Sequence, residues 1–170
     1  MSTISFKLEG QWDKGGYLIS QLSRNLKEST DKAEKELAQK LYAIVTDHLR
    51  NQDIPGWTPL SEKYAAKKQS EWNTADILIR SREYYASIKW WKDEGRYYVG
   101  VKKGETYVDG TEISRIANIH ETWSSMPGRP YRPLWSYSWN EMAKSKETRQ
   151  TVIMAIFKEM SKKGYPIKLI

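Results

Sequence analysis

A helical repeat of apolar residues between residues 30 and 49 is the feature that most constrains how this chain can fold. Apolar side chains at steps of three and four residues share one face of an α-helix. That face consists of Ala33, Leu37, Leu41, Ile44, Val45 and His48. Thr30 or Asp31 can cap this helix, and Glu34 places a negative charge in its first turn, beside the exposed amides. A separate, shorter repeat predicts another helix from Asp13 to Leu26.

The segments on either side of these helices are predicted as a strand and a loop. Ile4, Phe6 and Leu8 alternate with polar residues, which is the period of a half-buried strand. Residues 53–60 contain two prolines and a glycine, so they are expected to form a loop. Ser61 can then cap a short helix, because its hydroxyl can accept an amide hydrogen bond.

Residues 87–101 predict an antiparallel hairpin. Ile88, Trp90 and Lys92 alternate with Lys89 and Trp91, as side chains on the two faces of a strand do. Glu94 and Gly95 then turn the chain. The returning strand places Tyr97, Val99 and Val101 on one face. A helical pattern resumes over residues 113–122.

A final helix is predicted over about residues 139–163, because Ser138 and Glu141 have the spacing of a capping box. Before it, three prolines hold residues 123–133 extended, and residues 133–137 can form a short edge strand. The apolar stripe of the final helix is expected to lie in the core. Its central members are Ile153, Ile156, Phe157 and Met160.

These elements predict an α+β fold with a small, mostly antiparallel sheet that includes a hairpin and is packed by long N-terminal and C-terminal helices. The 170 residues are expected to form a single domain. It comprises an N-terminal strand and helices over residues 1–52, a central region over residues 57–131 and the C-terminal helix.

Composition excludes several classes of protein. The chain has no cysteine, so disulfides, thiolate zinc sites and cysteine nucleophiles are excluded. No run approaches the roughly 18 uninterrupted apolar residues of a membrane span, and the first residues lack a secretory pattern, so a soluble protein without a membrane partner is predicted. The net charge is +7, and residues 111–170 carry 10 basic and 5 acidic residues, a local excess of +5. Such a segment can face nucleic acid or an acidic protein, although a charge of this size is also ordinary for solubility.

The residues that could carry catalysis are few. His48 lies on the apolar face of the long helix, which favours a packing role. His120 and Glu121 could do acid–base work on a phosphodiester, but adjacent helical residues point about 100° apart and would not orient each other. The sequence therefore predicts no enzyme, no catalytic residue, no cofactor and no metal site.

The hairpin region also interleaves aromatic and basic residues. Its lysines and arginine alternate with Trp90, Trp91, Tyr97 and Tyr98, a pattern typical of a stacking platform for single-stranded nucleic acid. The same alternation is produced when one face of a sheet packs on helices and the other on a neighbouring subunit. Packing is the preferred interpretation.

Four fragments in a fixed order resemble a known family. They are Trp57-Thr-Pro-Leu-Ser61 with Tyr64 and Lys67; Ile77-Leu-Ile with Ser81, Ser87 and Ile88; Val99-Gly-Val101; and Ile116-Ala-Asn-Ile-His120-Glu121 leading to Pro127-Gly-Arg-Pro-Tyr131. The set resembles the Mu-like virion-morphogenesis, or tail-completion, proteins of tailed bacteriophages. The matches span about residues 57–131.

The resemblance implies a structural protein of the virion that joins the DNA-filled head to the tail, as a neck, tail-completion or tail-terminator component. It implies assembly in the host cytoplasm as a ring, usually of six copies, contacts with adjoining neck and tail proteins, and a possible contact with the double-stranded DNA that passes through. Rings and cations on proline-rich loops suit such interfaces. The interface is expected to include Trp57, Pro59, Trp123, Arg129, Tyr131 and Arg132.

Two other functions remain as alternatives. The first is a nucleic-acid-binding protein that uses a basic aromatic surface, and the second is a small nuclease. A ring mass favours the structural role, whereas a monomer with salt-sensitive affinity for DNA or RNA favours nucleic-acid binding.

Overall fold

The computed structural model describes residues 15–79, 82–122 and 131–165, with side chains described from residue 20 onward. These residues form helices and one two-stranded antiparallel sheet, which confirms the α+β class with a hairpin and a long N-terminal helix. In chain order the elements are α1 (Gly15–Asn51), α2 (Glu62–Trp72), α3 (Arg82–Ser87), β1 (Ile88–Asp93), β2 (Arg96–Val101), α4 (Ile113–Thr122), α5 (Trp135–Lys144) and α6 (Lys146–Lys162). The strand predicted at residues 4–8 and most of the connection over residues 123–133 lie outside the described residues.

Helix α1 is one continuous helix of 37 residues, so the predicted division into two helices is wrong. The hydroxyl of Thr30, expected to cap a new helix, bonds within α1 instead, and so does that of the preceding Ser29. Thr30 Oγ1 donates to the Leu26 carbonyl at 2.9 Å, and Ser29 Oγ donates to the Asn25 carbonyl at 2.8 Å. Each hydroxyl bonds the carbonyl one turn earlier, which lets Ser and Thr sit inside a helix. Thr30 and Asp31 are therefore interior residues and not caps.

The chain divides into two compact units, and the prediction of a single domain stays a prediction. The described part of the first unit is residues 15–37 and 146–165. Its buried side chains include Ala33 in α1, which is 2% exposed, and Ala155 in α6, which is 8% exposed. Lys163, directly after the end of α6, donates from Nζ to Asn25 Oδ1 of α1 at 3.0 Å.

The apolar stripe predicted for the C-terminal helix is buried only in part. Met160 is 2% exposed, Phe157 is half-buried, and Ile153 is 37% exposed. Phe157 instead lines an open groove of about 710 Å³ in the first unit, together with Glu36 and Met154. The stripe is therefore divided between the interior of this unit, where Met160 is buried, and its surface, where Ile153 is exposed.

The second unit, residues 38–145, contains the main core. Its buried side chains come from the end of α1, the following loop, α3 and β1, the segment before α4, and the start of α5. They are Val45, Leu49, Ile54, Trp57, Tyr84, Ile88, Tyr107, Ile113 and Leu134.

The hairpin of β1 and β2 forms as predicted. Ile88 pairs with Val101 and Asp93 pairs with Arg96, which leaves Glu94 and Gly95 as a two-residue turn. Both turn residues have positive φ, 46° and 78°, as expected for a turn whose twist matches that of the strands. The predictions of a loop over residues 53–60, a cap at Ser61 and a helix over residues 113–122 are also confirmed.

The region after residue 133 differs from the prediction. The expected edge strand over residues 133–137 is wrong, because α5 begins at Trp135. Ser138 does not begin a helix: it is buried inside α5, where its Oγ donates to the Leu134 carbonyl at 2.7 Å. Ser145 has extended backbone angles, φ −64° and ψ 124°, and separates α5 from α6, so the single helix predicted over residues 139–163 is two helices.

Candidate functional site

Two loops of the second unit are joined by a tryptophan and an arginine, and we call this arrangement the loop clasp. Trp57 Nε1 donates to the Pro133 carbonyl at 3.1 Å. In the opposite direction, Arg132 Nε donates to the Thr58 carbonyl at 2.9 Å and its Nη2 donates to the Pro59 carbonyl at 3.4 Å. Carbonyls on proline-rich loops have no strand or helix partner, so these bonds satisfy groups that burial would otherwise penalise.

Both clasp side chains are buried in the chain's own interior. Trp57 is 9% exposed and Arg132 is 7% exposed. Burial lowers the pKa of the Arg132 guanidinium from its ordinary value, because desolvation disfavours the charged form. In the isolated chain the two side chains therefore hold loops together.

Glu121 provides the N-terminal cap of α5 from another helix. Its Oε1 accepts hydrogen bonds from the amides of Leu134 and Trp135, each at 2.6 Å. Its Oε2 accepts from the amide of Ser136 at 3.2 Å and from the hydroxyl of Ser136 at 2.8 Å. Leu134, the residue at the cap position, makes no side-chain cap bond. The carboxylate thus satisfies the exposed amides of α5 and meets the positive end of its dipole.

His120 lies beside this cap in a different environment. Burial lowers its pKa from 6.5 to about 4; the nearby Arg132 charge acts in the same direction, and Glu121 opposes it. His120 is therefore neutral at pH 7. The two residues suggested by sequence as a catalytic pair have separate tasks, since the Glu121 carboxylate is engaged by the start of α5.

His48 lies between two carboxylates at the end of α1. Its Nδ1 is 2.6 Å from Asp53 Oδ1, in hydrogen-bond contact. Its Nε2 is 3.2 Å from Glu141 Oε2, without the alignment of a hydrogen bond. The ring also meets Tyr137 edge-on at 5.4 Å between centroids. His48 is 9% exposed, which confirms the predicted packing role and adds a polar link between α1, the following loop and α5.

Gln52 fastens the end of α1 to a distant segment, a contact that sequence patterns did not predict. Its Oε1 accepts from the Ile77 amide at 2.7 Å, and its Nε2 donates to the Ile77 carbonyl at 3.2 Å and to the Leu49 carbonyl at 2.6 Å. The side-chain amide thus pairs with the backbone of Ile77 much as a neighbouring strand would. Gln52 and Leu78 both have positive φ, 56° and 62°, which is uncommon for residues other than glycine.

The residues predicted to form an interface fall into three groups. Trp57 and Arg132 form the loop clasp. Pro59 is exposed and Tyr131 is 38% exposed, so both present surface beside the clasp. Trp123 and Arg129 lie outside the described residues.

The hairpin carries a second candidate surface on the face opposite the core. Trp91 and Tyr98 are cross-strand partners, with centroids 5.7 Å apart and planes inclined by 18°. Lys102 Nζ lies 5.3 Å from the centroid of the Trp91 ring. Lys89, on the same face, donates to Glu105 at 2.9 Å. The surface therefore combines stacked rings with cations.

Among the described residues, no group of three or more His, Asp or Glu side chains is arranged to hold a metal ion. Within the same residues, no helix has the length and apolar character needed to cross a membrane. Comparison with models of protein families, with curated proteins and with solved structures found no match.

Sequence reasoning identified Trp57, Arg132 and Glu121 as residues of interest but not their contacts. One signal for the cap was present: the residues before α5, Pro133 and Leu134, offer no Ser, Thr, Asp or Asn side chain to cap a helix. A helix that starts there requires an acceptor from elsewhere in the chain. No comparable signal exists for Gln52, because its partner is 25 residues away.

Proposed function

We propose that this chain is a structural component of a tailed-phage virion at the head–tail junction, assembling as a ring that joins the DNA-filled head to the tail. The observation that carries the proposal is that two of the fragments resembling virion-morphogenesis proteins bond to the segment that directly follows the last fragment. Trp57 reaches Pro133, Arg132 reaches the segment after Trp57, and Glu121 caps the helix that follows. Residues of the first and fourth fragments therefore meet at one place in the second unit, beside residues 132–136.

The roles of the motif residues also support a structural protein over an enzyme. Glu121 accepts four hydrogen bonds at the start of α5, and the lowered pKa of His120 leaves its ring neutral at pH 7. A pair of this kind stabilises a fold, whereas acid–base catalysis requires groups within reach of a substrate and with pKa values near the working pH.

The surface beside the loop clasp suits a contact between ring subunits. Tyr131 is 38% exposed and Tyr64 is 46% exposed, and Pro59 is exposed between two bonded loops. Aromatic residues on stiff loops lose little conformational freedom on binding, which favours their use at interfaces. We expect the ring to have six copies, with adjoining neck and tail proteins as its other partners.

Native mass spectrometry and light scattering of the purified chain test the proposal. A ring mass is expected for the unaltered chain. Tyr131→Ala and Tyr64→Ala should each weaken assembly by about 2 kcal/mol, close to 30-fold, while far-UV circular dichroism shows the same melting temperature. The same loss is expected for Trp123→Ala and Arg129→Ala.

Trp139→Ala is the matched control, because Trp139 is an aromatic residue of the second unit that is 53% exposed and lies in α5, outside the two clasp loops. It should assemble as the unaltered chain does. A monomer at every concentration contradicts the proposal, and a monomer with salt-sensitive affinity for DNA or RNA supports the alternative of a nucleic-acid-binding protein.

A further inference from the structure

The outer face of the hairpin presents aromatic rings that the core does not use. Side chains of a strand alternate between its two faces. Ile88 faces inward, is 2% exposed and pairs with Val101, which packs against the core. Trp91 and Tyr98 are three residues removed from these positions along each strand, so they lie on the opposite face. Tyr98 is 41% exposed.

The rings on this face lie along the sheet. Gly100, diagonal to Trp91 across the strands, has no side chain, and a β-carbon built there would lie 3.8 Å from Trp91 Cη2. The indole therefore extends over the backbone of β2. With the Tyr98 ring inclined to it by only 18°, the two rings form a nearly parallel pair on the outer surface of the hairpin.

Cations surround this aromatic pair. Residues 88–103 contain five basic and two acidic residues, and the strand register places Lys89 and Arg96 on the face of Trp91 but Lys92 on the face of Ile88. Lys102 lies over the Trp91 ring, and Arg96 occupies the same face near the turn. Asp93 is the cross-strand partner of Arg96, and Glu105 accepts a hydrogen bond from Lys89, whereas Lys102 lies directly over the aromatic pair.

We propose that this outer face binds single-stranded nucleic acid, with bases stacked on Trp91 and Tyr98 and phosphates beside Lys102 and Arg96. Stacked rings and flanking cations together are what unpaired bases on a charged backbone require. Lysine is depleted at the centres of protein–protein interfaces, so this combination favours a polynucleotide over a protein partner. A duplex keeps its bases stacked internally and can engage only the cations.

Fluorescence anisotropy with labelled oligonucleotides of about 20 nucleotides tests the proposal. The probes are oligo-dT, oligo-rU and a DNA duplex of equal length. Both single strands should bind more tightly than the duplex, and the difference between oligo-dT and oligo-rU shows whether DNA or RNA is preferred. For the unaltered chain, affinity should fall steeply between about 50 and 200 mM salt.

Two substitutions at position 91 separate the effect of aromatic stacking from the effect of side-chain size. Trp91→Leu keeps an apolar side chain but removes the ring, and should weaken single-strand binding by about 5- to 140-fold, the range measured for one stacked base. Trp91→Phe keeps a ring and should lose much less. Tyr98→Leu and Tyr98→Phe repeat the comparison at the more exposed position, and Trp139→Leu is the control. Lys102→Gln removes one phosphate contact, so the slope of log affinity against log salt concentration should become shallower by about 0.7.

Circular dichroism melts establish that each variant is folded, and the Tyr98 pair decides the matter if Trp91→Leu unfolds. The proposal is overturned by an absence of binding, by equal affinity for duplex and single strand, or by equal effects of the Leu and Phe substitutions. It is also overturned if polyglutamate displaces the single strand as well as unlabelled oligo-dT does, since the face would then recognise charge alone. None of these measurements depends on ring formation, so binding and assembly can fail separately.

Discussion

Replacement of Glu121 by alanine tests the cap of α5. The substitution removes the acceptor of four hydrogen bonds while leaving α4 with a good helix-forming residue in its last turn. The amides of Leu134, Trp135 and Ser136 then have to find other partners. We expect the free energy of unfolding to fall because water can replace the carboxylate at only some of them.

The magnitude follows from the surroundings of each amide. Leu134 is 1% exposed, so its unpaired amide should cost about 1–3 kcal/mol. Loss of the negative charge at the start of the helix adds about 0.3–1 kcal/mol. Ser136 is exposed, and its amide can bond water. The expected total for Glu121→Ala is about 1–4 kcal/mol. Glu121→Gln should cost about 1–2 kcal/mol, because its carbonyl can still accept at Leu134 and Trp135 while its amide group faces the Ser136 amide.

Urea unfolding followed by circular dichroism measures these differences. With a slope of about 2 kcal/mol/M, Glu121→Ala should lower the midpoint by about 0.5–2 M. Glu71→Ala is the control: Glu71 occupies the same place near the end of α2 and makes an exposed pair with Lys67 at 3.6 Å, so its loss should cost about 0.5 kcal/mol or less. Equal effects of the two alanine substitutions would refute the cap as a source of stability.

Further predictions concern the clasp, two titrations and the first unit. Trp57→Ala should lower the free energy of unfolding by about 3–5 kcal/mol and Trp57→Phe, which loses the indole hydrogen bond, by less; equal losses in urea unfolding would contradict the clasp. Because the pKa of His120 is about 4 in the folded chain against an ordinary 6.5, the unfolded chain binds more protons between these values. Stability should therefore fall as the pH drops through this window, by up to about 1.4 kcal/mol per pH unit, and His120→Gln should flatten the slope. Hydrogen bonds from Lys32 and Lys162 lower the pKa of Glu159 from 4.5 to about 2. Glu159→Gln should lower the melting temperature at pH 7, and this difference should vanish as the pH falls from 4.5 toward 2; a difference that persists at pH 2 contradicts the ion pairs. Met160→Ala should destabilise the chain more than Phe157→Ala in the same urea assay, since Met160 is 2% exposed whereas Phe157 is half-buried, and the reverse order would show that the first unit packs through the rim of its groove.

Elements specified by local residues were predictable from the sequence. The hairpin follows from strand alternation and a two-residue turn, and α2 follows from Ser61. The errors occurred where a hydroxyl has two options. Thr30 and Ser138 can each cap a helix or bond the carbonyl one turn earlier, and only the surrounding packing selects the second option.

In the candidate site, too, the sequence predicted some features and the packing decided others. Aromatic and basic residues on proline-rich loops signalled importance at Trp57 and Arg132, and the structure places both in contacts across more than 70 residues of sequence. A sequence pattern gives the chemical type of a side chain but not whether its partner is in the same chain. For the hairpin the alternation did distinguish the faces, because the strand period alone separates Ile88 from Trp91.

The pairing of Gln52 with Ile77 makes this junction sensitive to a single chemical change. The Ile77 amide should exchange slowly with deuterium because Gln52 Oε1 accepts its proton, although Ile77 belongs to no helix or strand. Deamidation would replace the Gln52 amide nitrogen with an oxygen. That oxygen would face the carbonyls of Leu49 and Ile77, now at 2.6 and 3.2 Å from the nitrogen, and would repel both. Faster exchange at Ile77 would then report chemical ageing of the chain at the end of its longest helix.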